Sequence, residues 1–147
     1  MFIDHWARET PDSVAIHMAG SGETVSFAEL ETASNRGAHL MRKLGLGRGD
    51  VFAIWSGNNP RYLELALTMQ RAGLYMCPIA AKLTAHEAAY IVGDSGARVL
   101  IIDASIGAQA EEIVRQAATL CPKVEAIFAI RGDLPSTQPG QATEHPD

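Results

Sequence analysis

Lysine is scarce in this chain. Lys43, Lys82 and Lys123 are the only three, and none sits in a glycine-rich setting that cradles phosphates. Basic charge is also in the minority, with 12 Lys and Arg against 17 Asp and Glu for a net charge of −5. The two signs are interspersed, so the chain has no basic footprint for nucleic acid. Only two cysteines occur, Cys77 and Cys121, without CxxC or any other redox or ligand spacing; both read as small buried hydrophobes. The five histidines, His5, His17, His39, His86 and His145, contain no i,i+4 pair and no neighbouring ligand cluster, which argues against a metal centre. Apolar runs are short, and Asp4, His5 and Arg8 interrupt the first turns, so neither a signal peptide nor a membrane span is expected and the cytoplasm is the default location. No serine stands in a nucleophile elbow. Asp94 and Asp103 read as helix-ending or turn residues in preference to a catalytic pair.

What is present is enough for a core. A chain of 147 residues with 47% hydrophobic content has the size of one domain. A short helix with Phe2, Ile3 and Trp6 on one side is expected to end at Thr10-Pro11, followed by strands over 14–18 and 24–25 joined by a hairpin at Gly20-Ser21-Gly22. Ser26 and Glu29 have capping-box spacing. Phe27, Leu30, Ala33, Gly37, Leu40, Met41 and Leu44 recur at helical spacing behind them, and Gly45 is a natural stop. Strands are expected over 51–55, 75–79, 99–103 and 126–130. Helices are expected over 60–72, behind Asn59-Pro60, then from a second capping box at Thr84 and Glu87, and over 106–120. In the helix over 60–72, Arg61, Glu64, Thr68 and Arg71 form the one polar stripe, which predicts that the rest of its circumference is covered by protein.

Near-continuous apolar strands alternating with helices predict an α/β fold. Its main feature is a mainly parallel sheet with helices on both faces, joined by the short N-terminal β-hairpin. Residues 1–131 form the expected folded part. The Pro, Gly, Ser and Gln content over 132–147 predicts a flexible tail or linker.

Two further motifs dissolve on inspection. Gly45-Leu46-Gly47-Arg48-Gly49-Asp50 leads from a helix into a strand, whereas a dinucleotide fingerprint leads from a strand into a helix. It is a helix stop and turn. The Arg-Gly-Asp triplets at 48–50 and 131–133 lack any secretory setting. The loop of Ala80, Ala81 and Lys82 follows a strand at its carboxyl end, where ligands of open α/β sheets bind, and its small residues permit close approach to the backbone.

Residues 69–102, MQRAGLYMCPIAAKLTAHEAAYIVGDSGARVLII, resemble the acyl-CoA synthetases of the adenylate-forming superfamily. The shared features are the helix-ending Ala72-Gly73, a strand with a central Pro78, Leu83-Thr84 opening a helix, and the turn from Asp94 to Arg98. The resemblance extends from Trp6 to Ala129 and includes Val25 to Leu30, Ser34-Asn35-Arg36 and Gly47 to Asp50. It implies the N-terminal subdomain of a larger synthetase that uses ATP, Mg and coenzyme A to convert a fatty or aromatic carboxylic acid into its acyl-CoA, with AMP and pyrophosphate released. The family's phosphate loop ending in Pro-Lys-Gly, its ribose-binding acid and its late catalytic lysine have no match here. The resemblance therefore implies no catalytic residue in these 147 and no tight binding of those cofactors. It implies inactivity of this stretch alone, the remainder of the synthetase as its partner, and self-association where that remainder is missing. In the family, the loop matching Ala80, Ala81 and Lys82 lies near the coenzyme A entry. Two alternatives stay open: an adenylation domain of a peptide-synthetase-like enzyme, and a stand-alone interaction or acyl-binding module.

Overall fold

The computed structural model describes residues 3–133, and contacts gather the chain into two compact units. One holds the chain up to Arg48 together with Asn58–Gly73; the other holds Gly49–Gly57 together with the chain from Leu74 onward. The tail expected over 132–147 lies, from residue 134, outside the described residues. No helix among the described residues is long and apolar enough to cross a membrane.

In the first unit, α1 (Asp4–Glu9) precedes an antiparallel hairpin of β1 (Val14–His17) and β2 (Thr24–Ser26), and the helices are α2 (Phe27–Lys43) and α3 (Pro60–Ala72). The capping box that opens α2 is complete. Ser26 Oγ accepts from the Glu29 amide, and the Glu29 carboxylate accepts from the Ser26 amide at 2.8 Å, which holds its pKa below the usual carboxylate range. Gly45 takes φ 78° just past the end of α2, a conformation glycine adopts without penalty.

The α2–α3 pair corrects one expectation. The polar stripe of α3 does not face solvent: Thr68 and Glu64 are buried, and Arg71 is mostly covered. Apolar Leu63 is 46% exposed, and Leu67 is only half-buried. The cause lies on α2. Arg71 donates to the Ser34 hydroxyl at 2.9 Å and to Asn35 Oδ1 at 3.2 Å, and forms an ion pair with Glu31. Thr68 Oγ donates to the Glu64 carbonyl at 2.9 Å. Those polar groups are satisfied by one another, so burying them is inexpensive relative to burying them alone.

The second unit is a four-stranded sheet, β3 (Val51–Ser56), β4 (Tyr75–Ala80), β5 (Val99–Asp103) and β6 (Ala126–Ile130), ordered β4-β3-β5-β6 with every pairing parallel. Between the strands run α4 (Ala85–Ser95), α5 (Ala108–Arg115) and α6 (Ala117–Leu120). Ala53, Trp55, Ile79, Leu100, Ile102 and Ile127 from one face of the sheet pack with Ala88, Ala89 and Val92 of α4 and with Ile113 and Val114 of α5. Residues of the opposite face, Phe52, Ile54, Val99 and Ile101, are equally buried, which explains why these strands read as unbroken apolar runs. The Thr84–Glu87 capping box opens α4, and Gly96 in the left-handed region ends it. The helix expected over 106–120 is divided instead. Ala104–Ile106 form a 3-10 turn, and Gln116, at φ −107° and ψ 10°, separates α5 from α6 without a glycine or proline to announce it.

At the amino-terminal edge of the sheet, Arg98 donates to Asp50 at 2.8 Å and to both oxygens of Glu125 at 2.8 and 2.9 Å. One guanidinium thus ties together the residues that lead into β3, β5 and β6.

Candidate functional site

Because all four strands are parallel, their carboxyl ends meet along one edge, and that is where the loop residues singled out by the sequence fall. Ala80 is the last residue of β4, exposed on that edge; Ala81 is half-buried, and Lys82 is exposed. Lys82 forms no ion pair with any carboxylate among the described residues. The loop itself is fixed. The indole Nε1–H of buried Trp55, next to last in β3, donates to the Ala80 carbonyl at 3.1 Å, and the Leu83 amide donates to the same oxygen at 3.1 Å. Ala80, Ala81 and Lys82 are therefore presented from a held backbone.

Beside this loop the edge carries a polar cluster around Asp103, the last residue of β5, which is 1% exposed. One of its oxygens accepts from the Ser105 amide at 3.0 Å and the Ser105 hydroxyl at 2.6 Å. The other lies 3.4 Å from the Ser56 hydroxyl at the end of β3, and 3.8 Å from Arg131 Nη1, just past β6. Arg131 adopts φ 61°, the left-handed region that non-glycine residues rarely enter. A buried carboxylate needs such partners. Asp103 therefore organises the ends of β3, β5 and β6.

Asp94 does not join this cluster. It lies near the end of α4, and only Gly96 to Arg98 separate that helix from the start of β5, so Asp94 belongs to the opposite edge of the sheet. The turn reading of Asp103 agrees with its bonds to Ser105. The sequence does not single out Trp55 or Ser56, and Arg131 stands out there only as the start of an Arg-Gly-Asp triplet. A serine two positions after Asp103 is a recognisable local turn signal, but the reach of Arg131 back to Asp103 depends on β5–β6 pairing and has no local signature.

The remaining chemistry is sparse. No group of three or more His, Cys, Asp or Glu able to hold a metal ion occurs among the described residues. Burial pushes the Cys121 thiol up to about 11, which keeps it protonated and unreactive at neutral pH. The edge carries small residues at Gly57, Ala80 and Ala81 and the exposed cation of Lys82.

A model of the AMP-binding enzyme family matches residues 3–147. Long-chain fatty acid transport protein 1 of Mus musculus is 34% identical over 110 residues, covering 75% of this chain and 17% of that protein. The fatty acid–[acyl-carrier-protein] ligase ScoC of Streptomyces coeruleorubidus is 32% identical over 92 residues, 63% of this chain and 18% of that one. Among solved structures, a protein from Rhodopseudomonas palustris described as a long-chain-fatty-acid CoA ligase superposes with a TM-score of 0.76. It is 23% identical, and the match covers 97% of this chain and 33% of that one. The chain thus spans about a sixth of the length of the curated relatives it matches.

Proposed function

This chain belongs to the AMP-binding enzyme family, and from that membership we propose that it is the N-terminal scaffold of an ATP-dependent acyl-CoA synthetase. In that reaction the carboxylate of a fatty or aromatic acid attacks the α-phosphate of ATP and pyrophosphate leaves; the coenzyme A thiol then attacks the acyl carbon and AMP leaves. The observation that carries the reading is the family match across 3–147, together with the parallel sheet whose carboxyl edge presents Ala80, Ala81 and Lys82.

The residues present do not fit a site for magnesium and the ATP phosphates. The sequence has no glycine-rich phosphate loop, and the described residues have no group of metal-ligating side chains. Phosphate-holding donors are commonly the largest catalytic term in such reactions. On this reading the 147 residues alone are inactive, and no step is assigned to them. The loop does fit a coenzyme A entry. Its alanines leave the backbone approachable, and Lys82 offers a charge to a phosphate, while residues 1–131 form the subdomain and 132–147 the link to the catalytic part.

A second reading is favoured by the similarity to ScoC: the acceptor is a carrier-protein thiol instead of coenzyme A. Pyrophosphate exchange and thioester formation, measured for the 147-residue chain and for any longer product of its reading frame, test both. Exchange at background for the short chain, with acyl-CoA formed by the longer one, is the expected result. Exchange by the short chain would overturn the scaffold reading, and a longer enzyme that loads only a carrier protein would replace coenzyme A. A stop codon directly after Asp147 would favour a stand-alone acyl-binding module.

A further inference from the structure

The strand β4 is an edge of the sheet, pairing only with β3 among the described residues, and three of its six residues are exposed: Tyr75, at 66%, Pro78 and Ala80. An exposed edge with free amides and carbonyls is a template for another strand. The direction of each amide in β4 follows from two observations. The Tyr75 amide donates to the Asp50 carbonyl at 2.9 Å, so it faces the β3 side. The register of β4 on β3 is then one to one without a bulge, from Val51↔Tyr75 to Ser56↔Ala80. Amides alternate along a strand, so Tyr75, Cys77 and Ile79 present theirs to β3. Positions 76, 78 and 80 face the open side.

Proline has no amide hydrogen to give. Its position leaves the β3–β4 ladder intact and removes the central donor from the outer edge, the one placement in which a strand proline weakens only foreign pairing. We infer that Pro78 keeps the β4 edge of this chain from pairing, antiparallel, with the β4 edge of a second copy. The short strand leaves only Met76 and Ala80 as outward donors, and the pyrrolidine ring stands between them.

Pro78→Val tests this, because it restores the donor and adds a strand-favouring side chain at an exposed position. Sedimentation velocity over a concentration series should show the variant associating at concentrations at least tenfold below those at which the parent does. Hydrogen exchange should show new protection, growing with concentration, at the restored amide of position 78 and at Ala80. Pro78→Ala, which restores the donor with less strand propensity, should shift in the same direction. Circular dichroism and the thermal midpoint report whether the variants keep the fold. Folded variants with the parent's association profile would overturn the inference. So would association without new protection in β4, since it would place the contact elsewhere, and so would variants that fail to fold, since Pro78 would then act within the sheet.

Discussion

Gly37 of α2 lies directly against Thr68 of α3, so closely that a β-carbon on Gly37 would fall inside the contact distance of the Thr68 hydroxyl and 3.0 Å from its methyl. Thr68 has little room to move, because its hydroxyl donates to the Glu64 carbonyl and lies 3.3 Å from the Ser34 carbonyl. Two effects oppose each other in Gly37→Ala. Removing a mid-helix glycine gains roughly 0.5–1 kcal/mol, while overpacking of a tight contact costs typically about 1–3 kcal/mol. The clash should win. Urea denaturation is expected to show a net loss of about 1 kcal/mol, and a Gly37→Ala/Thr68→Ala double variant, which removes both the hydroxyl and the methyl, should recover part of it.

The α3 surface gives a second test. Leu63→Asp should change stability by no more than about 0.5 kcal/mol, because the side chain is 46% exposed. Thr68→Asp should leave the protein unfolded or insoluble, since it buries a charge beside the Glu64 and Ser34 carbonyls without a donor. Comparison of thermal midpoints and soluble yield checks the pair. Equal effects at the two positions would mean that α3 is turned differently on α2.

The Arg98 clamp makes a pH-dependent contribution. Hydrogen bonding from Arg98 holds the Glu125 carboxyl below its usual range, and the paired carboxylates hold the guanidinium charged well above its ordinary value. A carboxylate whose pKa is depressed on folding stabilises the protein above its unfolded pKa and loses that contribution as pH falls through the folded value. Arg98→Gln should therefore lower the thermal midpoint at pH 7, and the gap from the parent should close as the pH falls below the carboxylate range. A gap that stays constant down to about pH 2, below the range in which carboxylates titrate, would show that Arg98 acts through packing alone.

Of the two thiols, only Cys77 should be open to reagent. Cys121 is buried and its thiol is held protonated, whereas Cys77 is half-buried on an edge strand. Brief iodoacetamide treatment of the native chain at mildly alkaline pH, followed by peptide mass spectrometry, should find label on Cys77 well ahead of Cys121. Comparable labelling of both in the folded state would place Cys121 outside the core.

If the loop after β4 meets coenzyme A, Lys82→Ala in a longer, active product of the reading frame should raise KM for coenzyme A by about 1.4- to fivefold. That is the yield of one exposed charge contact worth roughly 0.2–1 kcal/mol. Pyrophosphate exchange should be unchanged. An effect on exchange instead would put Lys82 nearer the nucleotide.

Local signals carried much of this fold. The strands at Val99–Asp103 and Ala126–Ile130 and the helix at Pro60–Ala72 fall where their residues predict them, and both capping boxes are formed, because each is specified by neighbours in sequence. The Asn59 position caps α3 as expected, although its side chain makes no capping bond. The face that α3 buries was not legible. Amphipathic reasoning assigns polar residues to water, and it fails where Arg71 finds Glu31, Ser34 and Asn35 on another helix. The carboxyl edge was legible as a place, through the rule that strand ends bind ligands, and Ala80, Ala81 and Lys82 lie there. The Asp103 cluster was not, since its bonds to Ser56 and Arg131 join residues far apart in the chain.

The strand order carries a consequence for synthesis. Phe52 at the centre of the sheet pairs with Val99, so one flank of β3 waits for some 47 further residues to be made. At roughly 5–20 residues per second, that is about 2 to 9 s during which a nascent strand containing Phe52, Ile54 and Trp55 has at most β4 to shelter it. Until β5 emerges, that flank of β3 is open to foreign pairing, and conditions that slow translation between β4 and β5 should lower the soluble yield.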